Sequence, residues 1–189
     1  MNYSQQELVD LGVRCGENVS IHRTVQLFGA DRLVIGSNVR IDCYAVISAR
    51  EPVRLGSYVH LAAGSMVFGG EGVDIGDFAG LSSRVTIYTA SDDYTGGHLT
   101  NPTVPDRFRQ LDRGKVVLAP HVIVGAGSVI LPGVTLHRGA AVGALSLVRK
   151  DVAEFQVVSG SPARPITTRN RELLDRLERE LLDGAKAAP

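Results

Sequence analysis

Every sixth residue of this chain is apolar over most of its length, and few folds can use that period. The register runs Cys15, Ile21, Leu27, slips by two residues, and continues Ile35, Ile41, Ile47, then Leu55, Leu61, Val67, then Ile75, Leu81, Ile87. After an interruption it resumes as Leu118, Val124, Ile130, Leu136, Val142 and Val148. Seventeen of these 18 positions are Leu, Ile or Val, although the hydrophobic class as a whole makes up 44% of the chain. A second column stands two residues earlier and is smaller: Val19, Val25, Leu33, Val39, Ala45, Val53, Val59, Ser65 and their later counterparts. Apolar residues at i and i−2 are strand alternation with one face inward. Turn residues between them, such as Gly36-Ser37-Asn38 and Gly56-Ser57-Tyr58, let the chain bend every six residues. Three segments then close a triangular coil of about eighteen residues, and six coils stacked at roughly 4.8 Å make a prism roughly 30 Å long. The expected fold is therefore an all-β solenoid, a parallel β-helix. A β-sandwich has alternating strands too, but no reason to hold a fixed six-residue register.

The flanks carry a different pattern. Ser4-Gln5-Gln6-Glu7 is a capping box that opens a short helix ending near Gly12, so residues 1–12 form an N-terminal helix. Residues 165–189 form a C-terminal helix and tail, with the helix itself from Thr168 to Asp183. Leu173, Leu174, Leu177 and Leu181 keep helical spacing there, and Gly184 is the expected stop. That stripe should dock on the prism or on a neighbouring copy. The solenoid occupies residues 13–164, with an extruded loop at 88–115.

Composition removes several functions. Net charge is zero, there is no Trp, and no basic face points to nucleic acid or anionic lipid. No apolar run approaches the length of a membrane span, and the N-terminus lacks a basic segment followed by an apolar one. The expectation is a cytoplasmic protein without membrane insertion. Cys15 and Cys43 fall on different coils and read as reduced, packed thiols. The five histidines, His22, His60, His98, His121 and His137, are too widely spaced for a three-histidine metal site, so no metal is expected. Gly69-Gly70-Glu71-Gly72 lacks the pattern of a phosphate loop and reads as a coil corner.

The six-residue register, interrupted once between Ile87 and Val116, resembles the hexapeptide-repeat proteins, whose parallel β-helix is left-handed. The hand comes from that resemblance, not from the period. Ile75-Gly76-Asp77 through Val85-Thr86-Ile87, His121-Val122-Ile123-Val124-Gly125, Ile130-Leu131-Pro132-Gly133-Val134, and the ending Ser159-Gly160-Ser161-Pro162-Ala163-Arg164 look like the galactoside, maltose and surface-polysaccharide acetyltransferases. The resemblance implies a homotrimer that uses acetyl-CoA, with active sites between adjacent prisms. It implies acetyl transfer to a hydroxyl or amine of a sugar, a nucleotide-linked or surface-polysaccharide precursor. A non-catalytic trimeric scaffold is the alternative. Serine acetyltransferases carry a long helical N-terminal domain, for which the residues before Val13 are too few.

An insertion from a solenoid, rich in polar groups and proline, is costly to order and is usually functional. The loop holds Asp92, Asp93, Tyr94, His98, Asn101 and Arg109. In galactoside acetyltransferases the catalytic histidine lies early in this loop. A gapless match from Ile75 puts Asp92 there, with His98 six residues later. The same match puts His60 among the residues lining the sugar pocket, and alternation with inward Leu61 points it outward. Attack on a thioester needs a base for the acceptor and a donor for the oxyanion. His60 is the first candidate base, with Asp92 or Asp93 orienting it or binding the acceptor, and His98 is the second. Tyr94, Asn101 and Arg109 are candidate substrate contacts. By resemblance, the pantetheine arm of the donor meets Ala126 and Ala144, and its phosphates meet Arg149, Lys150, Arg164 and Arg169.

Overall fold

In a computed structural model that describes residues 1–187, the chain winds as a three-sided parallel β-helix. The first face stacks six strands: Arg14–Cys15, Leu33–Ile35, Val53–Leu55, Val73–Ile75, Val116–Leu118 and Thr135–Leu136. The second face stacks Ser20–Ile21, Arg40–Ile41, His60–Leu61, Gly80–Leu81, Ile123–Val124, Ala141–Val142 and Gln156–Ser159. The third runs from Gln26–Phe28 through Val46–Ser48, Met66–Phe68, Thr86–Tyr88 and Val129–Ile130 to Leu147–Val148.

The coil step is not constant. Register partners are Ile35↔Leu55 and Leu55↔Ile75, a step of 20, and later Leu118↔Leu136 and Val124↔Val142, a step of 18. The longer early coils take up the two-residue slip at one corner, where Ala30–Arg32 makes a 3-10 turn. The second face carries a seventh parallel strand, one more than six coils would supply.

The six-residue register is the core. Ile21, Leu61, Ile87, Val124, Ile130 and Leu136 are fully buried, and so are the small residues of the second column, Ala45, Val59, Val85 and Ala140. Each buried aliphatic contributes about 1.5–3 kcal/mol. Two other columns turn the corners with left-handed backbone. One contains Asn18, Asn38, Tyr58, Phe78 and His121, and the other contains Tyr44, Gly64, Arg84, Gly127 and Leu145. A side chain in that region is disfavoured, and stacking offsets it here. The Tyr58 and Phe78 rings lie 4.8 Å apart, and Phe78 stacks on His121 at 4.8 Å. His121 is therefore a buried corner residue.

The helix α1, Gln5–Asp10, opens with both halves of the capping box at Ser4 and Glu7 and closes one end of the core with Leu8. The other end differs from expectation. Arg164–Thr168 forms an antiparallel strand on Gln156–Ser159, and the helix α2 runs Arg171–Ala187. Ile166, Thr167 and Thr168 favour extended chain, and the register shifts between Val157 and Val158, opposite Pro165, which has no N–H to donate. The expected start at Thr168 is thus too early, and the boundary at 164/165 falls inside a strand. Gly184 does not stop α2; nothing crowds it there, and one glycine costs an exposed helix only about 1 kcal/mol. The helix docks through its polar side. Arg138 donates to Asp175 at 2.8 Å and to Glu178 at 2.6 Å, and Glu178 lies 3.0 Å from His121 Nε2. Leu173, Leu177 and Leu181 remain exposed on the single chain.

Between Tyr88 and Val116 the chain leaves the prism. Ala90–Asp92 pairs with Leu111–Arg113 as an antiparallel stem, and a 3-10 turn at Asp106–Phe108 shapes the outer part.

Candidate active site

Outward residues of the second face form one column: Ser20, Arg40, His60, Gly80, Ile123 and Ala141, each on the rung beside the last. His60 points out because Leu61 points in; the imidazole side chain is 48% exposed. Its partner is a residue the sequence reading did not single out. Asp42 Oδ2 lies 2.9 Å from His60 Nε2, and Asp42 Oδ1 accepts from Arg40 Nε at 2.6 Å. Burial alone would raise the Asp42 carboxyl, but the hydrogen bonds from His60 and Arg40 outweigh it and hold it below the usual carboxylate range. With Nε2 engaged, Nδ1 is the nitrogen left for a ligand. Within one chain, then, the carboxylate on His60 is Asp42, not Asp92 or Asp93. A cavity of about 310 Å³ opens beside the imidazole, lined by His60, Ala62, Gly80, Ser82, Ser83 and Ile123.

The loop residues form a second group. Asp93 accepts from the Thr95 hydroxyl at 2.6 Å and the Thr95 N–H at 2.8 Å, and lies 3.3 Å from His98 Nδ1. These bonds, the Thr95 hydroxyl first among them, pull its pKa from the ordinary 3.8 to about 2. Asn101 accepts from the N–H and hydroxyl of Thr103, and Tyr94 is 91% exposed. Arg109 ties the loop to its stem through Asp92 at 3.2 Å, with its side chain only 10% exposed. Asp92, Asp93, Tyr94, His98 and Asn101 share a cavity of about 440 Å³, separate from the one at His60.

The third group lies at the far end of the solenoid. Arg149, Lys150 and Arg164 rim one cavity of about 430 Å³. Ala126 and Ala144 are exposed on consecutive coils, where the Leu145 N–H donates to the Ala126 carbonyl at 2.9 Å. Arg169 stands apart: its guanidinium donates to the carbonyls of His121 and Gly139 at 2.7 and 3.0 Å, and burial lowers its pKa. It binds the coil instead of facing the cavity. Among the described residues no three His, Cys, Asp or Glu side chains come together as a metal site, and no helix is long and apolar enough to cross a membrane.

No protein-family model matches the chain. Curated relatives do. The chain is 43% identical over 171 residues to the dTDP-4-amino-4,6-dideoxy-D-glucose acyltransferase of Escherichia coli, covering 89% of each chain. It is 31% identical to a putative lipopolysaccharide biosynthesis O-acetyl transferase, WbbJ, of Escherichia coli K12, over 72% of this chain and 69% of that one. Among solved structures it is similar to AntD, an N-acyltransferase from Bacillus cereus bound to dTDP and 3-hydroxybutyryl-CoA, with a TM-score of 0.94, 39% identity and 98% of each chain covered. An AntD variant altered at a serine has been solved bound to dTDP-4-amino-4,6-dideoxyglucose and coenzyme A, and one altered at an aspartate ten positions later bound to dTDP and coenzyme A. The chain belongs to the hexapeptide-repeat sugar acyltransferases, enzymes built on a left-handed parallel β-helix.

Proposed function

We propose that this protein transfers an acyl group, acetyl or a short hydroxyacyl, from acyl-CoA to the amino group of a nucleotide-linked amino sugar. The observation that carries the reading is the outward His60–Asp42 pair beside the cavity that Ser82 and Ser83 line. Two relatives matched along most of this chain, the Escherichia coli enzyme and AntD, support an amine on a dTDP-linked dideoxy sugar as the acceptor. O-acetylation is the second reading, favoured by the likeness to WbbJ.

The chemistry follows from the groups present. The acceptor nitrogen attacks the thioester carbonyl, a C–N bond forms, the C–S bond breaks, and the thiol of coenzyme A leaves. His60 Nδ1 takes the proton from nitrogen and passes it to the departing sulfur, and Asp42 holds the ring's tautomer and supports the imidazolium in between. The hydroxyls of Ser82 and Ser83 are the donors available to the oxyanion. Arg149, Lys150 and Arg164 suit the phosphates of the donor, and the small track at Ala126 and Ala144 leaves room for its pantetheine arm.

Asp93, with a pKa near 2, is a fixed negative charge suited to holding an ammonium group rather than taking a proton. Ser83 and Asp93 keep the ten-residue spacing of the serine and aspartate altered in AntD, as do Ser82 and Asp92, but Asp92 is occupied by Arg109. Because His60 and Asp93 line separate cavities on one chain, the site is complete where the loop of one prism meets the second face of its neighbour, in a homotrimer. Thiol release from acetyl-CoA and 3-hydroxybutyryl-CoA, measured over a panel of free and nucleotide-linked amino and hydroxyl sugars, tests the reading. Turnover confined to hydroxyl acceptors would replace it with the O-acetylation reading.

A further inference from the structure

Gly80 is the one glycine inside a strand of the described solenoid. The repeat glycines have an evident reason to lack a side chain. A Cβ on Gly56 would sit 2.8 Å from the Asp77 nitrogen, and one on Gly76 would sit 2.7 Å from the Pro120 nitrogen. Gly80 has no such reason. Its backbone is outside the left-handed region, and an added Cβ would meet nothing within 4 Å. Glycine in a strand forfeits stability and marks a place where something approaches the backbone closely.

What would approach is defined by the neighbours. Gly80 pairs with His60 on one side and Ile123 on the other, so the bare rung lies between an imidazole and an exposed apolar side chain. Two rungs separate His60 from Ile123, roughly 9–10 Å, and the cavity there also reaches Ser82 and Ser83. One wall of this notch is polar and able to accept a proton, and the other is apolar.

We infer that the notch over Gly80 seats the acceptor sugar ring, and that the missing side chain at position 80 sets the size of ring the enzyme accepts. This rests on the acyltransferase reading above. A proton acceptor must lie within hydrogen-bond reach of the group it serves, so the amino group sits at His60 and the ring occupies the adjacent bare rung. A methyl group placed at Gly80 takes the volume the ring needs without disturbing the fold.

Steady-state kinetics of the parent, Gly80→Ala and Gly80→Val test this, with dTDP-4-amino-4,6-dideoxyglucose varied at saturating acyl-CoA and then the reverse. The expected result is an acceptor KM at least tenfold higher in Gly80→Ala and no measurable turnover in Gly80→Val. The acyl-CoA KM should stay within twofold in Gly80→Ala, and neither variant should melt below the parent. An acceptor KM unchanged in both variants overturns the inference while leaving the acyltransferase reading intact. So does a rise confined to the acyl-CoA KM, which would assign the notch to the donor. A parent that acylates no amino sugar overturns both.

Discussion

At the scale of single residues, the proposed chemistry rests on one imidazole and the carboxylate behind it. Asp42 bonds His60 Nε2 and is itself held by Arg40, so removing its charge should leave the ring in place but free its tautomer. Asp42→Asn is expected to lower kcat by roughly tenfold or more, with the acceptor KM within twofold, and Asp42→Glu should recover part of the loss. Equal kcat values in parent and Asp42→Asn would show that the pair is an ordinary surface contact. The outward direction of His60 was legible from alternation with Leu61, but Asp42 was not. The coil step there is 20 residues, so the rung partner of His60 is Arg40, and Asp42 reaches it diagonally from two residues further along. A contact of that kind depends on side-chain lean, which a one-dimensional register does not encode.

Elements carry their own predictions. Gly56→Ala places a methyl against backbone of the next coil and should destabilise the fold by about 1–3 kcal/mol in denaturant unfolding, whereas Gly80→Ala should not. The loop should respond to acid. The folded pKa of Asp93 is depressed to about 2 from 3.8, so its contribution to loop order is present above pH 4 and is lost as pH falls toward 2. Hydrogen exchange at the Thr95 amide should lose protection across that window, while amides of the prism core keep theirs; protection at Thr95 that is flat with pH would contradict it. The short N-terminal helix was legible because Ser4 and Glu7 satisfy each other locally. The far end was misread for the opposite reason. Arg164–Thr168 is a strand because Gln156–Ser159 offers it an edge, and α2 is held to the prism by Asp175 and Glu178. Both facts depend on partners distant in sequence.

For the whole molecule, the six-residue period sufficed to give a parallel β-helix, since a core built from one repeating register leaves little freedom elsewhere. What it did not give is the assembly, which decides whether His60 and Asp93 share a site. If the site forms between chains, mixing inactive His60→Ala and Asp93→Asn protomers after unfolding and refolding should restore activity. Random closed trimers leave about a quarter of such sites with both residues intact. No recovery, with trimers formed, would place both residues of a site on the same chain. Coenzyme A release by the parent and His60→Ala, supplied with acyl-CoA and dTDP-4-amino-4,6-dideoxyglucose, tests the reaction and its base together. Turnover should depend on the sugar amine and fall about a hundredfold or more in the variant. Release at the parent's rate in His60→Ala would remove the base from this face of the prism, and no sugar-dependent release in either protein would contradict the assigned reaction itself.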